Sequence, residues 1–298
     1  MRVSTLEGHS NPIYTVIAHP QKALFYTAGN DKGIVEWDLN TQTHLRIFNQ
    51  VKNTVYCLSI IEEQNILIAG CNDGMILFFD MESTKLLSSI HVGSAVFDLK
   101  YISSKKELLA STDTGLIVII DPINYKVLHQ FNSGSEKVRT IAVSDKLNLM
   151  VTASNDKIIR IYHLEDYTFF HEFEGHSHGV GSVEFSPDGT QLLTGSRDAH
   201  LRVWSTTNWE CLYNFPAHLF AIYKIAYHPQ YPYIATASRD KSIKIWRTED
   251  FSLFKNLNFE KGIDAHRLSV NSITWTNNGK HLISVGDDKL VKVWDFDF

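Results

Sequence analysis

Residues 175–204 read GHSHGVGSVEFSPDGTQLLTGSRDAHLRVW, and four of their side chains set the frame for the whole chain. His176 is followed by Thr194 after 18 residues, Asp198 after 22 and Trp204 after 28. The same offsets recur in His9, Thr27, Asp31 and Trp37, in His218, Thr236, Asp240 and Trp246, and in His266, Ser284, Asp288 and Trp294. Chance does not produce four copies of a four-point ladder. A fixed period of this length marks a repeat architecture, in which each unit buries its apolar face only against its neighbours.

Between the first two strict copies lies room for three more units, and their remnants are present. Asp73 and Phe79 keep the Asp and aromatic slots of the second unit, while Val51 and Ala69 replace His and Ser/Thr. The fourth has Thr152, Asp156 and Tyr162, with Gly134 in the His slot. In the third all four slots are lost, to Val92, Ala110, Thr114 and Ile120, and His91 and Asp113 each sit one residue out of register. The Asp slots then follow at 42, 41, 42, 42, 42 and 48 residues, which gives seven units.

Within one unit the elements read as four short strands. Val180–Phe185 alternates and ends in the turn Ser186-Pro187-Asp188-Gly189, Gln191–Ser196 is a second strand, Leu201–Trp204 a third, and Cys211–Phe215 a fourth. Four β-rich runs at roughly ten-residue spacing, with no 3.6-residue pattern, predict one four-stranded antiparallel sheet per unit. The chain stops at Trp294–Phe298, one strand short of a full unit, whereas Arg2–Leu6 precedes His9 as a fourth strand precedes His elsewhere. The N-terminal strand is therefore expected to complete the last sheet and to hide edges that would otherwise invite aggregation.

With Gly8-His9 and Trp37-Asp38, Gly175-His176 and Trp204, and Trp294-Asp295 on the page, the chain resembles the WD40-repeat family. The resemblance covers the whole length. It implies an all-β fold: a seven-bladed β-propeller of four-stranded antiparallel blades, closed by the N-terminal strand, as one domain over residues 1–298. It implies little about activity, because function lives in sites grafted on a fold.

His, Ser/Thr and Asp together also suggest a hydrolase triad. Four equivalent copies favour the structural reading, which is the role such tetrads have in the family: a hydrogen-bonded network between the loop before the first strand and the turn after the second. A buried network is worth having only when every member is satisfied, so His and Ser/Thr vanish together in the second and third units. Those two are expected to rest on apolar packing and to be the softer sector.

Composition narrows the remaining classes. There are 28 Lys+Arg against 33 Asp+Glu, a net charge of −5, which lacks the positive field that drives phosphate-backbone binding. No apolar run is long enough to span a bilayer, and the N-terminus lacks a signal-peptide core. Cys57, Cys71 and Cys211, without CxxC spacing, argue against a disulfide framework and for a reducing, cytoplasmic compartment; they are read as small core or half-buried residues. His178 and His228, the latter beside Pro229, lack a third ligand at metal spacing and are read as solvated loop residues. No cofactor or metal is expected.

The surface can be indexed by the repeat. The residue five after each His slot lies between two core positions, and in the family it tends to line the channel mouth where partner peptides dock. It reads Tyr14, Tyr56, Phe97, Arg139, Gly181, Tyr223 and Asn271. Aromatics and Arg dominate binding hot spots. The alternative is that these side chains plug the channel. The residue before each Asp slot is expected on the same rim and reads Asn30, Asn72, Asp113, Asn155, Arg197, Arg239 and Asp287. A Lys or Arg from a partner would find aromatic faces there together with Asp98 or Asp113.

Two features remain. The long last interval inserts six residues, Phe259–Asp264, on the same face. On the opposite face, Asn124-Tyr125, Asp166-Tyr167, Asn208-Trp209 and Asp250-Phe251 repeat an Asx–aromatic turn, which closes the turn and covers the groove between blades. The alternative is a second contact surface around Trp209. The resulting expectation is a non-enzymatic scaffold or adaptor, a monomeric ring that binds protein or peptide partners. A catalytic or small-ligand propeller is the alternative; a nucleic-acid subunit is supported only by Arg139, Arg197 and Arg239.

Overall fold

A computed structural model describes residues 1–296, so the last two residues of the Trp294–Phe298 stretch lie outside it. Its twenty-eight strands form seven four-stranded antiparallel sheets. Blades 1 to 6 span residues 13–48, 55–91, 96–132, 138–174, 180–216 and 222–257. The seventh combines Val270–Trp275, His281–Gly286 and Val291–Asp295 with Arg2–Leu6, which pairs from Arg2↔Asp295 to Leu6↔Val291. This is the fold of a seven-bladed β-propeller, with its first strand in the last blade. The chain divides into two compact units. One holds blades 1 and 7 and most of blades 2 and 6; the other holds blades 3 to 5 with the remainder of blade 2.

Blade 5 shows why the sequence folds this way. Val180, Val183 and Phe185 are buried on the first strand, and every residue of Leu192–Ser196 is buried on the second. The fourth strand, Cys211–Pro216, is exposed at every position except Phe215. The turn between the first two uses Gly189 at φ +75°, with the Ser186 hydroxyl accepting from the Gln191 amide at 2.9 Å. The core lies in slabs between neighbouring blades. Ala142, Val151, Ile159 and Ile161 of blade 4 meet Val180, Val183, Leu192 and Trp204 of blade 5. Burying one indole in such a slab contributes roughly 4–6 kcal/mol before conformational entropy.

The register between first and second strands breaks at one place in blades 1, 3, 4, 5 and 7. The shift falls between Ile13 and Thr15, Val96 and Asp98, Val138 and Thr140, Val180 and Ser182, and Val270 and Ser272. The extra residues are Tyr14, Phe97, Arg139, Gly181 and Asn271. A bulge residue has no partner across the ladder, so its side chain is re-aimed out of the alternation.

The Asx–aromatic turns place Tyr125, Tyr167, Trp209 and Phe251 at φ 53–61°, left-handed backbone that costs a non-glycine residue about 1–2 kcal/mol. Packing offsets that cost. Trp209 stacks on Phe173 and His171 of blade 4, and Phe251 is buried. Tyr167 donates its hydroxyl to Glu107 of blade 3 beneath the Lys105 ammonium. The inserted stretch contains a single 3-10 turn, Phe259–Lys261, and ends at Asp264, the partner of a buried cation. Lys292 is 1% exposed; its ammonium donates to Asp264 at 2.8 Å and to the Thr5 hydroxyl at 2.7 Å, and Thr5 also donates to Asp264 at 2.8 Å. One lysine thus joins the insertion to the N-terminal strand.

Asp264→Ala leaves that ammonium with a hydroxyl alone and is expected to cost about 1–3 kcal/mol in urea unfolding. Adding Lys292→Met should restore most of the loss, because an apolar side chain needs no counter-ion there.

Candidate functional site

The ladder residues meet as a directed chain of hydrogen bonds. In blade 1, Trp37 Nε1 donates to Thr27 Oγ1 at 2.7 Å, Thr27 Oγ1 lies 2.7 Å from His9 Nε2, and His9 Nδ1 lies 2.7 Å from Asp31. Blade 5 repeats this at 2.9, 2.7 and 3.0 Å through Trp204, Thr194, His176 and Asp198. Blade 7 does so at 2.8, 2.9 and 2.9 Å through Trp294, Ser284, His266 and Asp288. In blade 6, Trp246 donates to Thr236 at 2.9 Å and Asp240 accepts from Ser242, and His218 is buried. An indole can only donate, so the hydroxyl must accept it and pass its own proton to Nε2. That leaves the proton of a neutral imidazole on Nδ1, facing the carboxylate.

Burial pushes the His176 pKa down, against the opposing pull of Asp198. Burial by itself would raise Asp198, but His176 and the His200 and Ser177 amides outweigh it and hold it well below the usual carboxylate range. Thr27, Thr194 and Ser284 are fully buried and already bonded on both sides, so no substrate carbonyl can reach them.

Blade 4 solves the same problem with other residues. Ser133, one before the His slot, lies 2.6 Å from Thr152 and accepts the Tyr162 hydroxyl at 2.9 Å. Arg160 donates to Asp156 at 2.8 Å and sits where a Cβ on Gly134 would meet it. Blade 2 packs Val51, Ala69 and Phe79 with no more than 4% exposure, and blade 3 does the same with Ala110 and Ile120.

A further slot, ten after His, escaped the sequence reading. It holds His19, Ile61, Ile102, Ser144, Ser186, His228 and Thr276. His228 is not the solvated loop residue expected. It is 2% exposed, its Nδ1 accepts from the Gln230 and Tyr231 amides, and its Nε2 donates to the Gly279 carbonyl at 2.9 Å. His19 likewise accepts from Gln21 and Lys22. Ser186 and Thr276 cap the same turn differently, their hydroxyls accepting from the amide five residues on. The signal in the sequence was the shared offset, which a proline beside each histidine disguised as a loop. Cys211 is another correction: it is exposed on an outer strand, whereas Cys57 and Cys71 are buried.

The residues five after the His slots fall into separate groups. Tyr14 and Tyr56 lie edge to face with centroids 5.8 Å apart, both half-buried. Asn271 Nδ2 donates to Asp287 at 2.8 Å and to the Ile13 carbonyl at 2.9 Å. In the other unit, Phe97 lies under the Arg139 guanidinium at 4.6 Å and near the Lys137 ammonium at 5.6 Å, and Lys137 pairs with Asp113 at 2.6 Å. Asp98 is turned to blade 4, accepting from the Ile141 amide at 2.9 Å and from Thr140. Burial alone would lower the Lys100 pKa, but Asp98 and Glu184 outweigh it and leave it raised. The cation site expected at Phe97, Asp98 and Asp113 is thus filled by the chain's own side chains. Tyr223 is half-buried, and Arg197 and Arg239 are exposed. Among the described residues, no three His, Cys, Asp or Glu side chains gather as metal ligands, and no helix is long and apolar enough to cross a membrane.

Residues 1–38, 125–163, 167–205, 209–247 and 258–295 match the family described as WD domain, G-beta repeat. A 91-residue stretch, 30% of the chain, is 32% identical to myosin heavy chain kinase C of Dictyostelium discoideum. A 90-residue stretch is 24% identical to echinoderm microtubule-associated protein-like 3 of Mus musculus and of Homo sapiens. The matched stretches span only 10–11% of those relatives' length.

Ser133→Ala removes the shared partner of Tyr162 and Thr152 and is expected to cost about 1–3 kcal/mol in denaturant unfolding. A second prediction concerns pH. His19, His176, His228 and His281 all have pKa values lowered mainly by burial. Between the unfolded value of about 6.5 and the lower folded values, the unfolded chain binds more protons. The melting temperature should therefore hold above pH 7 and fall as pH drops through 6.5 towards 5. His228→Ser, which borrows the cap of blade 5, should flatten that fall.

Proposed function

Because the chain belongs to the WD40 repeat family, whose members are typically protein-interaction scaffolds, we propose that it is a non-enzymatic scaffold that offers the bulge residues of its first strands to partner proteins or peptides. The observation that carries this reading is the division of labour within blades 1, 5 and 7. The side chains with catalytic potential, His, Thr/Ser and Asp, are buried and bonded to one another. The residues released from the ladder are aromatic, Arg or Asn, types suited to contact rather than chemistry, with Gly181 the one exception.

The matched relatives support the same view. A chain that resembles stretches of a protein named as a kinase and of one named as microtubule-associated reads as a contact module more readily than as the seat of either activity. Three free cysteines suit a reducing, cytoplasmic compartment.

Affinity purification with mass spectrometry, comparing the native chain with a Tyr14→Ala/Tyr56→Ala/Phe97→Ala variant, tests the reading. The variant should lose partners while keeping its far-ultraviolet dichroism and a cooperative melt; an unchanged partner set would sink it.

A further inference from the structure

Two places in the chain bring an aromatic residue near a carboxylate, and one of them also holds a cation between the two parts. That one, in the unit of blades 3 to 5, has an aromatic bulge residue, Phe97, a carboxylate one residue before the Asp slot, Asp113, and a cation joining them. That cation is Lys137, 2.6 Å from Asp113 and 5.6 Å from the Phe97 centroid, with Arg139 at 4.6 Å from the same ring. The chain itself thus shows what such a site accepts: a protonated side chain between a π-face and a carboxylate.

In the unit that holds blades 1 and 7, the aromatic part is the Tyr14–Tyr56 pair, 5.8 Å apart. The carboxylate is Asp287, which has the repeat position of Asp113 but belongs to blade 7, whereas its aromatic neighbours belong to blades 1 and 2. Asn271, the bulge residue of blade 7, fixes it through 2.8 Å and 2.9 Å bonds that tie Asp287 to the carbonyl just before Tyr14. The Asp287 charge reaches the phenol, adding to burial in raising the Tyr14 pKa. Among the described residues Asp287 has no ion-pair partner, so its charge is not neutralised by a cation of the chain. A single carboxylate is too few oxygen ligands for a divalent metal ion, and two aromatic rings favour an organic cation.

We propose that Tyr14, Tyr56 and Asp287 form a site for the protonated side chain of a Lys or Arg carried by a partner protein. This deepens the scaffold reading and rests on it. The Phe97 position takes no partner cation, because Lys137 and Arg139 already cover it.

The test uses the full chain with 13C-labelled tyrosine rings, titrated at low salt with Nα-acetyl-lysine-N-methylamide and its arginine counterpart. The norleucine analogue, equal in length but uncharged, is the control. The Tyr14 and Tyr56 ring signals, assigned with Tyr→Phe variants, should move with both cations and stay still with norleucine. Asp287→Asn should weaken binding about tenfold with little change in melting temperature, and Asp113→Asn should leave it unaltered. Equal shifts with norleucine, or an affinity indifferent to Asp287→Asn, would overturn the proposal. Partners whose recovery depends on Tyr14 and Tyr56, without cation binding, would overturn it and leave the scaffold reading standing. Cation binding with a partner set indifferent to these aromatics would support the site and count against the scaffold.

Discussion

An indole N–H can donate a hydrogen bond and cannot accept one, and that asymmetry orders much of this molecule. It fixes the hydroxyl of Thr27, Thr194 or Ser284 as an acceptor, hence the imidazole as a neutral Nδ1–H tautomer, hence the carboxylate as the end of the chain. The carboxylate then takes backbone amides, as Asp198 does from Ser177 and His200. The loop before the first strand is thereby clamped to the turn after the second. The bulge sits between those two clamped segments, so its side chain is held in place by chemistry that touches no ligand.

Where the indole is absent the blade must find another logic, and two kinds occur. Blade 4 keeps a polar solution with a shorter reach: a phenol hydroxyl, Ser133 and Thr152, with Arg160 supplying the charge that a histidine would otherwise mediate. Blades 2 and 3 abandon polarity altogether. Their cap slots hold Ile61 and Ile102, fully buried, where the other blades hold His, Ser or Thr. A partly satisfied network is worse than none, so the tetrad and the cap disappear together.

The sequence was most readable where a side chain has one physical solution. Trp, His and Asp at fixed offsets, and alternation in Val180–Phe185, left little freedom; the strands of blade 5 and the pairing of Arg2–Leu6 with Val291–Asp295 follow from them. Residues with several solutions were opaque. Ser133 looks like any loop serine until Tyr162 is seen to reach it. His228 beside a proline looks solvated until its ring is seen to cap three backbone groups. The bulge was visible only as an odd position between two core residues. That Lys137 and Arg139 lie on Phe97 rather than in solvent depends on side-chain torsions that no spacing encodes.

A bulge residue belongs to no register pair, and this separates what the surface displays from what the core requires. Tyr14, Phe97, Arg139 and Asn271 differ in size, charge and polarity, yet the strands behind them keep the same buried partners and the same break in register. Gly181 is the exception, since a Cβ there would meet the Ile222 carbonyl at 2.6 Å. At the remaining bulges a change of one codon can alter the displayed side chain without a second, compensating change in the interior. A lineage carrying this fold can thus vary that surface in single mutational steps while the packing behind it stays the same.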